Sequence, residues 1–351
     1  MSNIIALNVP PRRQRLSERA GALIDVFATQ RRIQDDVFWL KENAELLSIL
    51  ECTGTAVGGD MLAPHAEFYE RLRERLQFFP QYYRFLVSIG LDLEDLGMPG
   101  GQMEGLCQWV ARSGLPDAEL SDLQRAEARR LLARRGVHCT AADPELDQRL
   151  RRFIERSDTF ALPNKKAAYE LTHIVFYLSE YGRRDPHLGP KALRSLTYAG
   201  ILAHLDQNMD LLAEVCVALR HAGTQPDPIW VEAVRAHLSG FIVSSDASGS
   251  STDAYHDYLV ANWAMRTLGF DDTGAALPVG HVTFLGPSGT QSALRGISAA
   301  LFAAARTRST RWDVMCDYVF SVLDEDCAAV LEATIASTSD FEAFFEVFAR
   351  A

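Results

Sequence analysis

The chain has 351 residues, 48% hydrophobic and 23% charged, so it is long enough to bury a sizeable core as one large domain or two moderate ones. A formal net charge of −11 and a pI near 5.3 favour solubility and argue against nucleic acid or an anionic membrane as the main partner. No apolar run approaches the roughly 20 residues of a membrane span, and the opening MSNIIALNVPPRRQR lacks the order and length of a signal peptide.

The six cysteines (Cys52, Cys107, Cys139, Cys216, Cys316, Cys327) form no CxxC pair. Most stand in apolar helical stretches, which reads as reduced thiols of a cytoplasmic protein and not as a disulfide frame or zinc ribbon.

Residues 1–15 read as a loose arm. From Leu16 to Leu50 apolar residues recur at three- and four-residue steps, the spacing of helices. TGTAVGG breaks that pattern, and helices are predicted at about 65–78 and 81–96, separated by Pro80, then at 102–113. Residues 117–160 are rich in arginines and acids and predict a solvated helix pair, with Asp143-Pro144 as a helix start. The best strand candidates are HVTFLG at 281–286 and FIVSS at 241–245, so β content is small. The resulting division is an N-terminal helical half (16–115), a charged helical connector (116–162) and a C-terminal repeat region (163–351), or one continuous domain.

After Pro163 two kinds of helix alternate. AAYELTHIVFYLSEYG (167–182), NMDLLAEVCVALRHAG (208–223) and AYHDYLVANWAMRTLG (254–269) are apolar nearly all round. Each ends on glycine, the residue suited to the left-handed position after a helix. The intervening segments 189–205 and 228–242 are amphipathic. Helices apolar all round are buried and one-sided ones face solvent. Gly182, Gly223 and Gly269 are 41 and 46 residues apart, the spacing of helical-hairpin repeats. The pattern predicts an all-α, two-layer helical-hairpin repeat, either an α/α toroid or a short α-solenoid.

The same glycines set a register. Nine residues before them stand His173, Glu214 and Val260, and thirteen before stand Tyr169, Asp210 and His256. Positions four apart share a helix face, so the polar exceptions of these apolar helices lie at matched depths. The first half echoes this, with Glu45 nine and Lys41 thirteen residues before Gly54. Taken singly, each residue has a plain structural role. Asp210 favours a helix dipole, His173 suits a satisfied core, His256 suits a cap and Glu214 an ion pair. Taken together, two histidines and two carboxylates suit a divalent metal, zinc or iron, held by His173, Asp210, Glu214 and His256. Without metal the groups would serve as acid and base. Glu214 and Tyr177 are the catalytic candidates, and Tyr255 or Tyr258 would help line the pocket.

GPSGTQSALRG (286–296) lacks the GK[ST] of a phosphate-binding loop and reads as an interhelical turn. His187, His204, His221 and His237 read as surface residues. The aromatic FEAFFEVFA near the C-terminus reads as a helix docked on the core, with a partner-binding helix as the alternative.

DVFWLKENAELLSILE (36–51) and KAAYELTHIVFYLSEYGRR (166–184) resemble a bacterial helical family of unknown function, which implies no activity and no catalytic residue. The two-layer pattern is similar to α/α-toroid enzymes such as prenyltransferase β-subunits, terpene cyclases, lanthionine cyclases and many glycosidases. That likeness is of fold alone; the Asp-rich cyclase motifs and a Cys-His-Gly zinc motif are absent. The reading is a metal-dependent hydrolase, lyase or cyclase-like enzyme, or a metal-free one, with a central polar cavity acting on a small molecule or peptide. The alternative is a non-catalytic helical scaffold for protein partners or for a homo-oligomer.

Overall fold

The computed structural model describes residues 16–34, 36–139, 141, 143–245, 253–270, 277–278, 280–287 and 291–350. The predicted N-terminal arm lies outside them, as does part of the 286–296 turn. Seventeen α-helices and one short strand pair form the regular structure of the described residues, as the helical periodicity predicts. None of these helices is long and apolar enough to cross a membrane.

Six helices, called inner, pack on one another in sequence, and the helices that precede them in the chain are called outer. Outer α1 (Leu16–Thr29) precedes inner α2 (Val37–Cys52). Outer α3 (Ala66–Glu70) and α4 (Leu72–Phe78) precede inner α5 (Tyr83–Asp95), and outer α6 (Met103–Arg112) precedes inner α7 (Asp122–Ala133). The later pairs are α8 (Leu146–Ile154) with α9 (Lys165–Leu178), α10 (Pro190–Leu205) with α11 (Met209–His221), and α12 (Pro228–Ser239) with α13 (Tyr255–Thr267). Each inner helix packs on the next in the order α2, α5, α7, α9, α11, α13, and α13 packs back on α2.

Burial follows the sequence pattern. Every residue of α11 from Leu211 to Leu219 is buried, whereas α12 buries only Trp230, Val234 and Leu238. Each fully buried Leu or Val contributes roughly 1.5–3 kcal/mol, so α11 is a main anchor of the core. The arginine-rich α7 sits between α5 and α9 and buries Ala126, Ala128, Leu131 and Leu132. Arg130 is buried with that stripe and pairs with Glu180, Arg84 of α5 crosses to Glu127 of α7, and Arg134 at the end of α7 reaches Asp92.

Local signals set the helix ends. Asp36 caps α2 through Phe38 N–H at 2.7 Å, Asn164 caps α9 through Ala167 N–H at 3.1 Å, and Asp227 caps α12 through Ile229 N–H at 2.8 Å with Pro228 behind it. Gly54, Gly182, Gly223 and Gly269 all have positive φ, between 61° and 88°, the conformation the helix-terminating reading requires.

The two strand candidates pair with each other. β1 (Ile242–Ser244) runs antiparallel to β2 (Thr283–Leu285), with Val243 opposite Phe284. After α13, the helices α14 (Ala293–Ala304), α15 (Trp312–Val322), α16 (Glu325–Ala336) and α17 (Phe341–Phe348) follow, with α14 and α16 against α10. The aromatic C-terminal helix docks as predicted, with Phe344 on Tyr198 at 5.7 Å and Phe345 on Trp312 at 4.9 Å between ring centroids. His204 departs from its predicted surface position. It is buried, and its Nδ1 lies 2.7 Å from Thr334 Oγ1, fastening α16 to α10. His221 is likewise half-buried, among aromatic rings. His187 is exposed, and His237 is half-buried with Nε2 2.8 Å from Asp257 Oδ2.

Candidate functional site

The six inner helices surround a cavity of about 370 Å³, and all six contribute to its wall. That volume is within the range of small-molecule sites. The register brings residues from separate helices together, Glu45, His173 and Glu214 nine residues before a glycine and His256 thirteen. Glu45, His173, Glu214 and His256 line the cavity, with Tyr177 one turn beyond His173. Asp210 stands behind His256, its Oδ2 3.7 Å from His256 Nε2.

Glu214 is 3% exposed. Its Oε2 accepts the Thr172 hydroxyl at 2.5 Å, and His173 Nδ1 stands 3.7 Å from the same oxygen. Burial pushes its pKa up, and this outweighs the opposing pull of His173, Thr172 and His256. The neutral acid is therefore favoured more than in an exposed glutamate.

His173 Nδ1 lies 2.7 Å from the Tyr169 carbonyl oxygen. A carbonyl only accepts, so Nδ1 carries the proton. In the neutral ring Nε2 then holds a lone pair, and no protein group among the described residues hydrogen-bonds to it.

His256 has the opposite surroundings. Nδ1 is 3.2 Å from Glu45 Oε2, and Nε2 faces Asp210. Burial by itself lowers its pKa, but the hydrogen bond and charge of Glu45, with Glu214 and Asp210, raise it to about 9. The ring is an imidazolium at neutral pH. Asp210 is held in turn by the Tyr169 hydroxyl, 2.8 Å from each carboxylate oxygen, and by Leu211 N–H at 2.7 Å. Tyr177 is buried, and burial first, then Glu127 and Tyr181, holds its phenol well above the usual range. It is a neutral hydroxyl on the cavity wall. Tyr255 approaches Glu45, and burial followed by the Glu45 charge raises its phenol pKa. Tyr258 is turned away from this cavity and bonds Arg19 through its hydroxyl.

The four candidate metal ligands thus form two neighbouring pairs, His173 with Glu214 and His256 with Asp210. Among the described residues no group of three or more His, Cys, Asp or Glu side chains is placed to hold a metal ion.

Sequence reasoning noted Glu45 but missed the contributions of α5 and α7. Gly97 and Gly136 also have positive φ, and the same counting finds Ser88 and Arg84 before Gly97, and Glu127 and Leu123 before Gly136. All four line the cavity. Arg84 Nε donates to Glu119 Oε1 at 2.9 Å, and a second guanidinium nitrogen bonds Glu127. Burial opposes the charge on Arg84, but Glu127 and Glu119 outweigh it and raise its pKa.

No curated protein and no solved structure matches the chain significantly. A family model does, over residues 1–351. It is an uncharacterised family, which agrees with the resemblance of the 36–51 and 166–184 segments. The chain belongs to the family described as Domain of unknown function (DUF6902).

Proposed function

We propose that the cavity is a general acid–base site of an enzyme acting on a small molecule, enclosed by an α/α toroid. The packing order of the six inner helices, with α13 returning to α2, supports the toroid. One observation carries the functional reading. Two titratable groups sharing the cavity are driven in different directions, Glu214 toward the neutral acid and His256 toward the imidazolium, and beside them the His173 Nδ1 lies against the Tyr169 carbonyl oxygen while its Nε2 has no hydrogen-bond partner among the described residues. Groups pushed apart in this way supply an acid and a base at one pH.

His173 Nε2 takes the role of base, Glu214 donates a proton, and the Tyr177 hydroxyl stabilises charge that develops on a substrate oxygen. His256 holds Glu45 and Asp210 in place. A zinc or iron site at these residues would need His256 to lose its proton and leave its carboxylates. Elemental analysis of the wild type and His173→Ala separates the two versions, since metal that is stoichiometric in the wild type and lost in the variant favours the metal site.

The function is tested by incubating the protein with a small-molecule extract and following depletion by mass spectrometry. Wild type consumes a compound that Glu214→Gln and His173→Ala leave intact. Depletion that is absent, or equal in Glu214→Gln, contradicts the reading. The scaffold alternative has one supporting observation, the exposed apolar side chains Phe302, Val314 and Val322 of α14 and α15.

A further inference from the structure

The helices α14 and α15 form an antiparallel hairpin, with Leu323 after α15 closing on Gly296 in the first turn of α14. Residues three and four apart share a helix face, and α15 carries three such lines. Trp312, Met315 and Val319 are buried. Asp313, Asp317 and Ser321 form an exposed polar line. Val314, Tyr318 and Val322 form an apolar line that is also exposed, at 53%, 37% and 51%.

The neighbouring helix extends this apolar surface. Phe302 of α14 is 86% exposed, and Ala299 and Ala303 on the same face of α14 are exposed too. A helix that faces water on one side is polar there, so a second apolar line on α15 marks an interaction face. The other strongly exposed apolar side chains stand at turns or helix ends: Ile33 after α1, Phe38 in the first turn of α2, Phe78 ending α4 and Leu120 before α7. None of these runs along a helix.

The two ends of α15 carry charges of opposite sign. Arg306 lies in the turn before it, and Glu325 and Asp326 open α16 after it. All three are exposed, and none is in an ion pair among the described residues. Their neighbours are engaged: Arg311 is held by Asp313, and Asp324 caps α16 through Cys327 N–H at 2.8 Å. The α16 dipole accounts for acids in its first turn, but not for the apolar line that leads to them.

We infer that this face docks a second copy of the chain about a two-fold axis, with the two α15 helices antiparallel. Tyr318 then meets its own copy at the axis, and Val314 of each chain meets Val322 of the other, with Phe302 packing from the side. The same operation brings Arg306 of each chain to Glu325 and Asp326 of its partner, so the patch is self-complementary, as a two-fold interface requires. A parallel pairing would set like charges together. The arginine-rich residues 1–15 would answer only the acidic end of the face, whereas a second copy answers both. The inference is independent of the acid–base reading, because its readout is association and not turnover.

The test is analytical ultracentrifugation of the full chain over a wide range of concentration. Wild type is compared with Tyr318→Arg, with Arg306→Glu, with the combined Arg306→Glu, Glu325→Arg and Asp326→Arg, and with the control Phe78→Arg. A further variant lacks residues 2–15. The expected result is a concentration-dependent dimer that Tyr318→Arg weakens about tenfold or more, the effect of losing a central anchor. Arg306→Glu weakens it by a smaller factor, and the combined variant restores it, because the charges again match with their signs exchanged. Phe78→Arg and removal of residues 2–15 leave it unchanged. Circular dichroism confirms that the variants are folded. A wild type that stays monomeric at every concentration overturns the inference. So does a dimer that Tyr318→Arg does not weaken, or that Phe78→Arg weakens equally. A combined variant no better than Arg306→Glu overturns the antiparallel pairing, and a dimer lost with residues 2–15 assigns the contact to that segment instead.

Discussion

The two ends of the inner helices use charge differently. In the cavity the charged groups other than Arg84 are histidines and glutamates, residue types that can gain and lose protons. At the C-terminal ends they are arginines, which do not. Most of those arginines are clamped to Glu51, Asp92, Glu94, Asp95 and Glu180. The helix dipole favours cations at the C-terminal ends and opposes the carboxylates Glu51, Asp92, Glu94 and Asp95 in the last turns of α2 and α5, which their ion pairs with arginine offset. The titratable groups respond to pH, and the permanently charged groups serve structure through their ion pairs.

The largest effect that would break this comparison is at Arg134. Its partner Asp92 is buried, with a side chain 1% exposed. Arg134→Ala leaves a buried carboxylate unpaired and is predicted to cost about 3–5 kcal/mol in urea unfolding. A loss below about 1 kcal/mol would place the arginine clamps among ordinary surface pairs.

Next come the register glycines. Gly223 has φ of 75° and open space around it, so Gly223→Ala costs only the backbone strain, about 1 kcal/mol. Gly182→Ala would also drive a Cβ to 2.7 Å from the His221 ring and is predicted to cost more. Equal losses in thermal unfolding would mean that His221 yields easily.

The histidines sharpen the comparison through pH. His256, with its pKa raised to about 9 in the folded protein, contributes stability that is fully present below about pH 6.5 and lost as pH rises through 9. His204 and His65 have pKa values lowered to about 4 by burial, so their contribution is present above about 6.5 and lost as pH falls through 4. Stability measured from pH 4 to 10 should show both arms. Glu45→Gln should flatten the alkaline arm and leave the acid arm in place.

The smallest effect is at Glu214. Because burial favours its neutral form, Glu214→Gln replaces one neutral hydrogen-bonding group by another of similar shape. Its predicted stability change is within about 1 kcal/mol. A larger loss would show that the buried carboxylate is ionised.

Much of this was legible in the sequence, for physical reasons. Helices such as α11, apolar on every side, announce their burial, and their terminal glycines fix a common register, so His173, Glu214 and His256 could be placed within it before any geometry was known. Glu45 was visible as an echo because Gly54 ends α2 in the same way. Arg84 and Glu127 were not found. The helices α5 and α7 that carry them are less uniformly apolar, and the dense charge of α7 masks its buried alanine and leucine stripe. Protonation was also beyond reach, since it depends on partners distant in sequence, such as Glu45 beside His256. His204 was misread because one polar side chain in an amphipathic helix gives no sign that a C-terminal helix will cover it.

The most direct test of the central claim is an NMR titration of the His256 ring in wild type and Glu45→Gln. An imidazolium flanked by Glu45 and Asp210 titrates near 9 in the wild type and moves down toward the ordinary value of about 6.5 when Glu45 is neutralised. A wild-type His256 that titrates at or below about 6.5, unmoved by Glu45→Gln, would contradict the account.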